Sequence, residues 1–346
     1  MAGIKDLLPG MAINGLKIDP LSEIRNAGIV TNGSVVWVRA VADDDYPAFQ
    51  DAVGAANIRN TPQAGVDALR SDKNDYVMVV PQDAGAVWAL GTALDLNEDR
   101  LHVLSVGYTR NSHGYSNTLR GFVSADGLDT SLVDVTASGV ELAGFNIRGT
   151  SGTAAGGTIS GGFLRVGTAA SGTAHDLWVH DCVIENTQAA AAGGTTDLVA
   201  FSGDVATGIR GVRFERTWIG NWNWAGVCVR MGGTAGPART EFSDCTFVMD
   251  AQVVGDSYVV LGTGVTEYTT FEDCRFINVE AGTANTSALT GAVLVDNPVM
   301  MINCHYLNAT QAGTDTEVFK TPVASGTSAA VVDYGIALGT AAVSPV

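Results

Sequence analysis

Six residues at one position of a recurring segment offer the most regular arrangement for chemistry: Gly144, Asp181, Arg216, Asp244, Asp273 and Asn303. If successive copies stack as neighbouring strands, Asp244 and Asp273 stand roughly 5 Å apart, the carboxylate separation of a retaining glycosidase. The same column has a plainer reading. Asp, Asn and Gly tolerate left-handed backbone, so they suit a bend that recurs in every copy. No positioned acid or substrate-stabilising cluster accompanies the pair, so the turn reading is preferred and no catalytic residue is assigned. Were the chain an enzyme, Asp244 and Asp273 are where catalysis would be sought.

Other chemistry-bearing residues are read in the same way. Trp218, Trp222 and Trp224 in WIGNWNW, with Trp178 one copy earlier, form the densest aromatic group. Trp218 is expected to point outward, where an aromatic serves as a sugar platform or as an interface anchor, and the interface is favoured. His180 and His305 also fall on outward positions, apart from acidic partners in the repeating register, and are expected to be surface histidines. Five cysteines lack the paired Cys-x-x-Cys spacing of a zinc site. Cys182, Cys245, Cys274 and Cys304 share one position, where stacked parallel side chains are wrongly aimed for disulfides. They are expected to be reduced, buried thiols, with no metal and no cofactor.

The elements that must hold these residues follow from the copies themselves: HDCVIEN (180 to 186), ERTWIGN (215 to 221), SDCTFVM (243 to 249), EDCRFIN (272 to 278) and NCHYLN (303 to 308), with a weaker LAGFNIRG (142 to 149). With Phe145, Cys182, Thr217, Cys245, Cys274 and Cys304 as the reference column, successive copies are 37, 35, 28, 29 and 30 residues apart. Content is fixed while length varies, which places the variation in loops. Three residues before the column stand Leu142, Val179, Phe214, Phe242, Phe271 and Met301; two after it stand Ile147, Ile184, Ile219, Phe247, Phe276 and Tyr306. Polar residues alternate with these apolar ones, the period of a half-buried strand, and the three-residue gap calls for a bend or bulge. Four residues after the column come Asn186, Asn221, Asn278 and Asn308, a candidate ladder of stacked amides. One strand-built unit repeated at this period is a solenoid, hence an all-β, parallel β-helix.

Composition narrows the partners. With 36 acidic against 19 basic residues the net charge is −17, which disfavours nucleic acid because phosphate binding depends on basic neutralisation. No window approaches the roughly 18 apolar residues of a membrane span, and no export signal is visible at the start. Residues 1 to 33 hold Leu7, Leu8, Met11, Ile13, Leu16 and Ile18 among Pro9, Pro20 and several Gly. The segment is too apolar for a solvated tail and too interrupted for a long helix. It is expected to pack either on a partner or back on its own domain.

SVVWVRA (34 to 40) reads as a strand; Asp43, Asp44, Asp45 and Pro47 then open a short amphipathic helix carrying Phe49, Ala52, Val53 and Ala56. Strands DYVMVVP (75 to 81) and RLHVLSVG (100 to 107) follow. This Asp-Asp pair, short Ala/Phe-Gln helix, Val-Val-Pro strand and Leu-His-Val-Leu-x-x-Gly strand resemble the opening of the pectin-lyase-like superfamily. The resemblance covers roughly residues 43 to 310 and implies a right-handed, single-stranded parallel β-helix whose short N-terminal helix caps the first coil. It implies little about activity, because that superfamily hosts lyases, hydrolases and non-enzymatic virion proteins alike. Of the hydrolases' signature segments only Ser112-His113-Gly114 has a counterpart here.

The expected organisation is an arm with a first strand over 1–42, a capping helix and loop over 43–74, a β-helix of eight or nine coils over 75–324, and a capping or partner-binding tail over 325–346. The function expected from the resemblance and the missing catalytic set is a non-enzymatic phage virion protein, assembled in the host cytoplasm. It would decorate or cement the capsid surface as a homotrimer on the major capsid protein, without nucleic acid or membrane. Two alternatives stand beside it: a tailspike or tail-fibre component that binds or cleaves host polysaccharide, and a free polysaccharide lyase or hydrolase.

Overall fold

The computed structural model describes residues 12–13, 16–17, 33–82, 88–106, 121–124, 131–149, 162–167, 174–186, 197–202, 209–221, 227–231, 237–249, 257–261, 269–278, 287–291, 299–308 and 331–334. Over these residues the chain winds as a parallel β-helix with three sheets of 11, 8 and 7 strands. Each coil contributes in turn to the first, second and third sheet: Glu141–Ala143, Asn146–Gly149 and Leu164–Val166 form one coil, Trp178–His180, Val183–Asn186 and Val199–Phe201 the next. Every pairing between coils is parallel and in register, as in Leu142 with Val179 and Ile147 with Ile184. The coils take the right hand that crossover connections between parallel strands adopt. Eight coils run through the 8-stranded sheet, within the expected count.

The apolar columns read from the sequence are the core. Leu142, Val179, Phe214, Phe242, Phe271 and Met301 are fully buried, as are Ile147, Ile184, Ile219, Phe247 and Phe276. Because register fixes one residue above another at the coil spacing of roughly 4.8 Å, identical aromatics stack. Phe242 lies 5.0 Å from Phe214 and 4.9 Å from Phe271, and Phe247 lies 4.9 Å from Phe276, all with nearly parallel ring planes. Offset stacks of this kind add to simple area burial.

The reference column lies between the first and second sheets and is buried throughout. All the cysteines are free thiols, and they are not idle in the core. Cys245, Cys274 and Cys304 donate to Phe214, Phe242 and Phe271 carbonyls of the preceding coil at 3.4–3.5 Å. Thr217, which replaces Cys in one coil, donates its hydroxyl to Glu215 O at 3.0 Å. From the second copy onward, small side chains with a donor occupy this corner and reach the nearby carbonyls, whereas the first copy fills it with Phe145. Burial pushes the Cys182 thiol up to about 12, so it stays protonated and unreactive.

The bend expected before this column is a single left-handed residue. Gly144, Asp181, Arg216, Asp244, Asp273 and Asn303 all have positive φ, between 46° and 79°. Each amide of the first five donates to a carbonyl of the next coil, from Gly144 N to His180 O through Asp273 N to Ile302 O. The corner thus joins two sheets without breaking the ladder between coils.

The parallel sheet begins ahead of residue 75. Val35–Val38 pairs in register with Asp75–Val79 on one side and with Ile58–Arg59 on the other. The expected helix forms as α1 (Tyr46–Val53), ended by Gly54 at φ 85°, so Ala56 falls in a separate 3-10 turn (Ala55–Asn57). Its N-cap residue Asp45 makes no side-chain capping hydrogen bond. Asp43 and Asp45 clamp the buried Arg39, at 3.3 Å for Asp43. Phe49 packs in a separate cluster with Ile58, Tyr76 and Met78 rather than in the main core. The element that joins the main core at this end is a second helix, α2 (Pro62–Asp67), in a segment read as loop. Its Val66 packs with Val36, Val38 and Val77. The signal was there: Thr61 caps Ala64 N at 3.2 Å and Pro62 sits in the first turn.

At the far end Val331–Tyr334 pairs parallel with Val299–Ile302, so part of the 325–346 tail continues the first sheet. Of the arm, Ala12–Ile13 pairs antiparallel with Leu16–Lys17, setting Ile13 opposite Leu16; Leu7, Leu8, Met11 and Ile18 lie outside the described residues. Among the described residues no helix is long and apolar enough to cross a membrane.

Candidate functional site

Register places two rows of side chains on the outer face of the first sheet. One row runs Tyr76, His102, Glu141, Trp178, Arg213 and Glu241; the other runs Met78, Leu104, Ala143, His180, Glu215 and Ser243. In the middle of this face the polar groups bond across coils. Glu141 Oε2 meets His102 Nδ1 at 2.5 Å, and Glu141 Oε1 meets His180 Nε2 at 2.8 Å. His180 Nδ1 meets Asp181 Oδ2 at 2.7 Å, and Arg216 donates from Nε and Nη2 to both Asp181 oxygens at 2.8 and 2.9 Å. Arg216 also pairs with Glu215. This His102, Glu141, His180, Asp181, Arg216 series spans four successive coils.

The network is enclosed: His180 is 4 % exposed and the Asp181 carboxylate 1 %. Burial pushes the Glu141 carboxyl up, but hydrogen bonds from His102 and His180, with their charges, outweigh it and hold the group at about 2. Asp181 follows the same pattern, burial being outweighed by Arg216 and His180, and also lies at about 2. For His180 burial disfavours the cation, yet Asp181 and Glu141 on its two nitrogens raise it above the ordinary histidine value. The rings beside it are stacked: Tyr76 on His102 at 4.3 Å and Trp178 on His180 at 4.1 Å. Burial and the Glu141 charge raise the Tyr76 phenol.

The expectation that His180 is an isolated surface histidine is therefore wrong. Its partners sit four residues before the reference column in the preceding coil (Glu141) and one residue on (Asp181), so only lining up the outward columns finds them. His305, by contrast, is exposed.

A second polar row lies on the outer face of the third sheet, where Asp95, Asp134 and Arg165 are register partners. Asp134 accepts from Arg165 and from Ser131. Asp95 accepts from Thr136 Oγ1 at 3.3 Å, while its backbone N–H donates to Gln63 Oε1 at 2.8 Å. Burial first, and the Asp134 charge as well, raise the Asp95 carboxyl. Two neighbouring carboxyls whose environments differ in this way are the pattern of an acid and its partner, and no repeat in the sequence pointed to them.

The residues singled out from sequence are spread differently. Asp244 forms a loose 3.8 Å ion pair with Arg275, and Asp273 accepts from Asn303; both occupy the left-handed corner. Trp218 faces outward from the second sheet but is 9 % exposed, covered in a small cluster with Val183, Val248 and Ile277. As an open platform it is excluded. Trp178 is exposed at 36 %. Asn186, Asn221, Asn278 and Asn308 share one register column, with Met249 between Asn221 and Asn278. Trp222, Trp224 and the Ser112-His113-Gly114 segment lie outside the described residues. Among the described residues no group of three or more His, Cys, Asp or Glu is arranged to hold a metal ion.

No protein-family model matches the chain, and no curated protein matches it. Among solved structures it is similar to the pectin methylesterase of Aspergillus niger, at 11 % identity and a TM-score of 0.45 over 85 % of this chain and 91 % of that one. It is also similar to a pectin methylesterase in complex with a hexasaccharide, at 11 % identity and a TM-score of 0.47 over 81 % and 80 %. A third similarity is to ORF18 of Geobacillus virus E2, at 11 % identity and a TM-score of 0.28 over 89 % and 66 %. At these identities the likeness concerns fold alone, and the sheet register carries the fold assignment by itself.

Proposed function

We propose that the chain is a non-enzymatic structural protein of a bacteriophage particle, a β-helix that decorates and cements the head surface. In this reading it assembles as a homotrimer in the host cytoplasm and binds the major capsid protein, with the apolar arm of residues 1–33 as the docking segment. The observation that carries it is the use made of charge. Carboxylates on all three outer faces are tied to cations of a neighbouring coil: Glu141 and Asp181 as above, Glu185 by Arg148 at 2.5 Å, Asp134 by Arg165, and Asp197 by Arg230 at 2.5 Å. A single exposed pair of this kind contributes little, but a network repeated along a solenoid resists slippage between coils. That is a design for a rigid rod rather than for a site with a free acid and nucleophile. The superfamily-like opening of the chain supports the same reading. Immunogold labelling of purified particles tests it: label over the whole head is expected, and absence from particles overturns it.

One observation favours a second reading, a tail component that cleaves host polysaccharide. Asp95, with its raised carboxyl, stands one coil from Asp134, at roughly the 5 Å spacing of a retaining pair. In that case Asp95 is the proton donor, and purified protein releases reducing ends from host polysaccharide that Asp95→Asn does not. No release by the wild type removes this reading.

A further inference from the structure

We infer that the proton on His180 is a structural part of the fold, a lock that joins four coils while the imidazole is cationic and lets them loosen when it is lost. Both ring nitrogens of His180 face carboxylate oxygens, Glu141 Oε1 at 2.8 Å and Asp181 Oδ2 at 2.7 Å. An ionised carboxylate only accepts hydrogen bonds, so each nitrogen must donate, and only the doubly protonated ring does so. Deprotonation leaves one nitrogen lone pair against a carboxylate in a site where the Glu141 side chain is 14 % and that of Asp181 1 % exposed, so little water is at hand to replace the lost bond.

The surrounding charges are arranged around that cation. On the preceding coils, Glu141 is shared with His102, whose Nε2 is buried without a hydrogen-bond partner. On its own coil stands Asp181, and the following coil supplies Arg216, Glu215 and Arg213, the last pairing with Glu215 at 3.5 Å and Glu241 at 3.9 Å. Arg216 holds Asp181 through both oxygens and keeps its charge at all accessible pH. His180 is the member with both ring nitrogens on carboxylates, so both of its bonds depend on its charge. Chains of charge-assisted bonds reinforce one another, so removing the middle proton releases His102 and Glu141 from Asp181 and Arg216.

The sign follows from linkage. Because the folded-state value of His180 is raised, its contribution is fully present below the unfolded value of about 6.5 and is lost as pH rises through the folded value. Over that interval local opening increases by up to about tenfold per pH unit. On the acid side Glu141 and Asp181 act in reverse. Their contributions are present above the unfolded values near 4 and fade as pH falls towards about 2.

Two measurements on the full-length protein test the lock. In an NMR titration the His180 ring, assigned through its 4.1 Å contact with the Trp178 ring, is expected to change protonation above the free-imidazole value of about 6.5. Amide exchange over Trp178–Glu185, normalised to Thr246–Met249, is expected to rise with pH across that titration. His180→Gln, which presents one donor nitrogen and one acceptor oxygen in place of two donor nitrogens, should start faster and show no such rise. A His180 midpoint at or below the free value overturns the proposal even if the variant does not fold. So does a normalised exchange rate in the wild type that is flat through the titration.

Discussion

At the corner between the first and second sheets, one residue per coil decides whether the chain can turn. Six successive coils place a left-handed residue there, and four of the six are Asp or Asn, the side chains that accept such backbone most readily after Gly. Asp273 isolates the effect because it is exposed and its side chain accepts only from Asn303 among the described contacts. Asp273→Gly should leave stability within a few tenths of a kcal/mol of wild type or raise it, whereas Asp273→Val should cost about 1–2 kcal/mol from the left-handed penalty. Chemical denaturation measures both. Equal stabilities for the two variants would mean that the corner is not held by backbone conformation. The same position explains why Asp244 and Asp273 looked like a catalytic pair: turn chemistry and carboxylate chemistry draw on the same residue.

Among the elements, α2 shows how closely the N-terminal end is fitted to the solenoid. A methyl group added at Gly65 would meet Val38 Cγ2 at 2.6 Å and Val77 Cγ1 at 3.0 Å, and both valines are fully buried in neighbouring strands. Gly to Ala in a helix normally gains up to about 1 kcal/mol, but overpacking a core costs about 1–3 kcal/mol. The second should win here. Gly65→Ala is expected to lower the melting temperature in the wild-type background and to stop doing so alongside Val38→Ala, which opens the space. A rise in melting temperature for the single variant would mean that α2 is not seated on the sheet as described.

Much of this scale was legible in the chain. The columns at Leu142, Phe145 and Ile147 and their repeats are read from period and, among the described side chains, are buried, because inward strand positions tolerate few residue types; the burial of Tyr306 lies outside the described residues. The outward columns were harder to read. His102, Glu141, His180 and Arg216 come from four coils, and the two histidines stand in different register columns, so no identity repeats down a column. Their pairing became visible only when register fixed which residue lies above which. Asp95 and Asp134 precede the recognisable copies, and α2 was passed over because its apolar stripe amounts to Val66 and little else.

For the whole molecule, a solenoid needs both ends managed. Val66 and Leu69 join the core beside the first strands, and Val331–Tyr334 extends the first sheet at the other end. The arm adds Leu7, Leu8, Met11, Ile13, Leu16 and Ile18, which the coils do not need, since their own columns close the core. Burying these aliphatic side chains on a partner would contribute on the order of 5 kcal/mol before the entropy of ordering the arm is subtracted. Removing residues 1–33 should therefore leave a β-rich protein with a melting temperature close to that of the full chain. The most direct measurement is co-sedimentation of full-length and truncated protein with bare phage heads. The full-length protein should bind saturably and the truncated one should stay in the supernatant; failure of the full-length protein to sediment with heads would contradict the proposed decoration of the head.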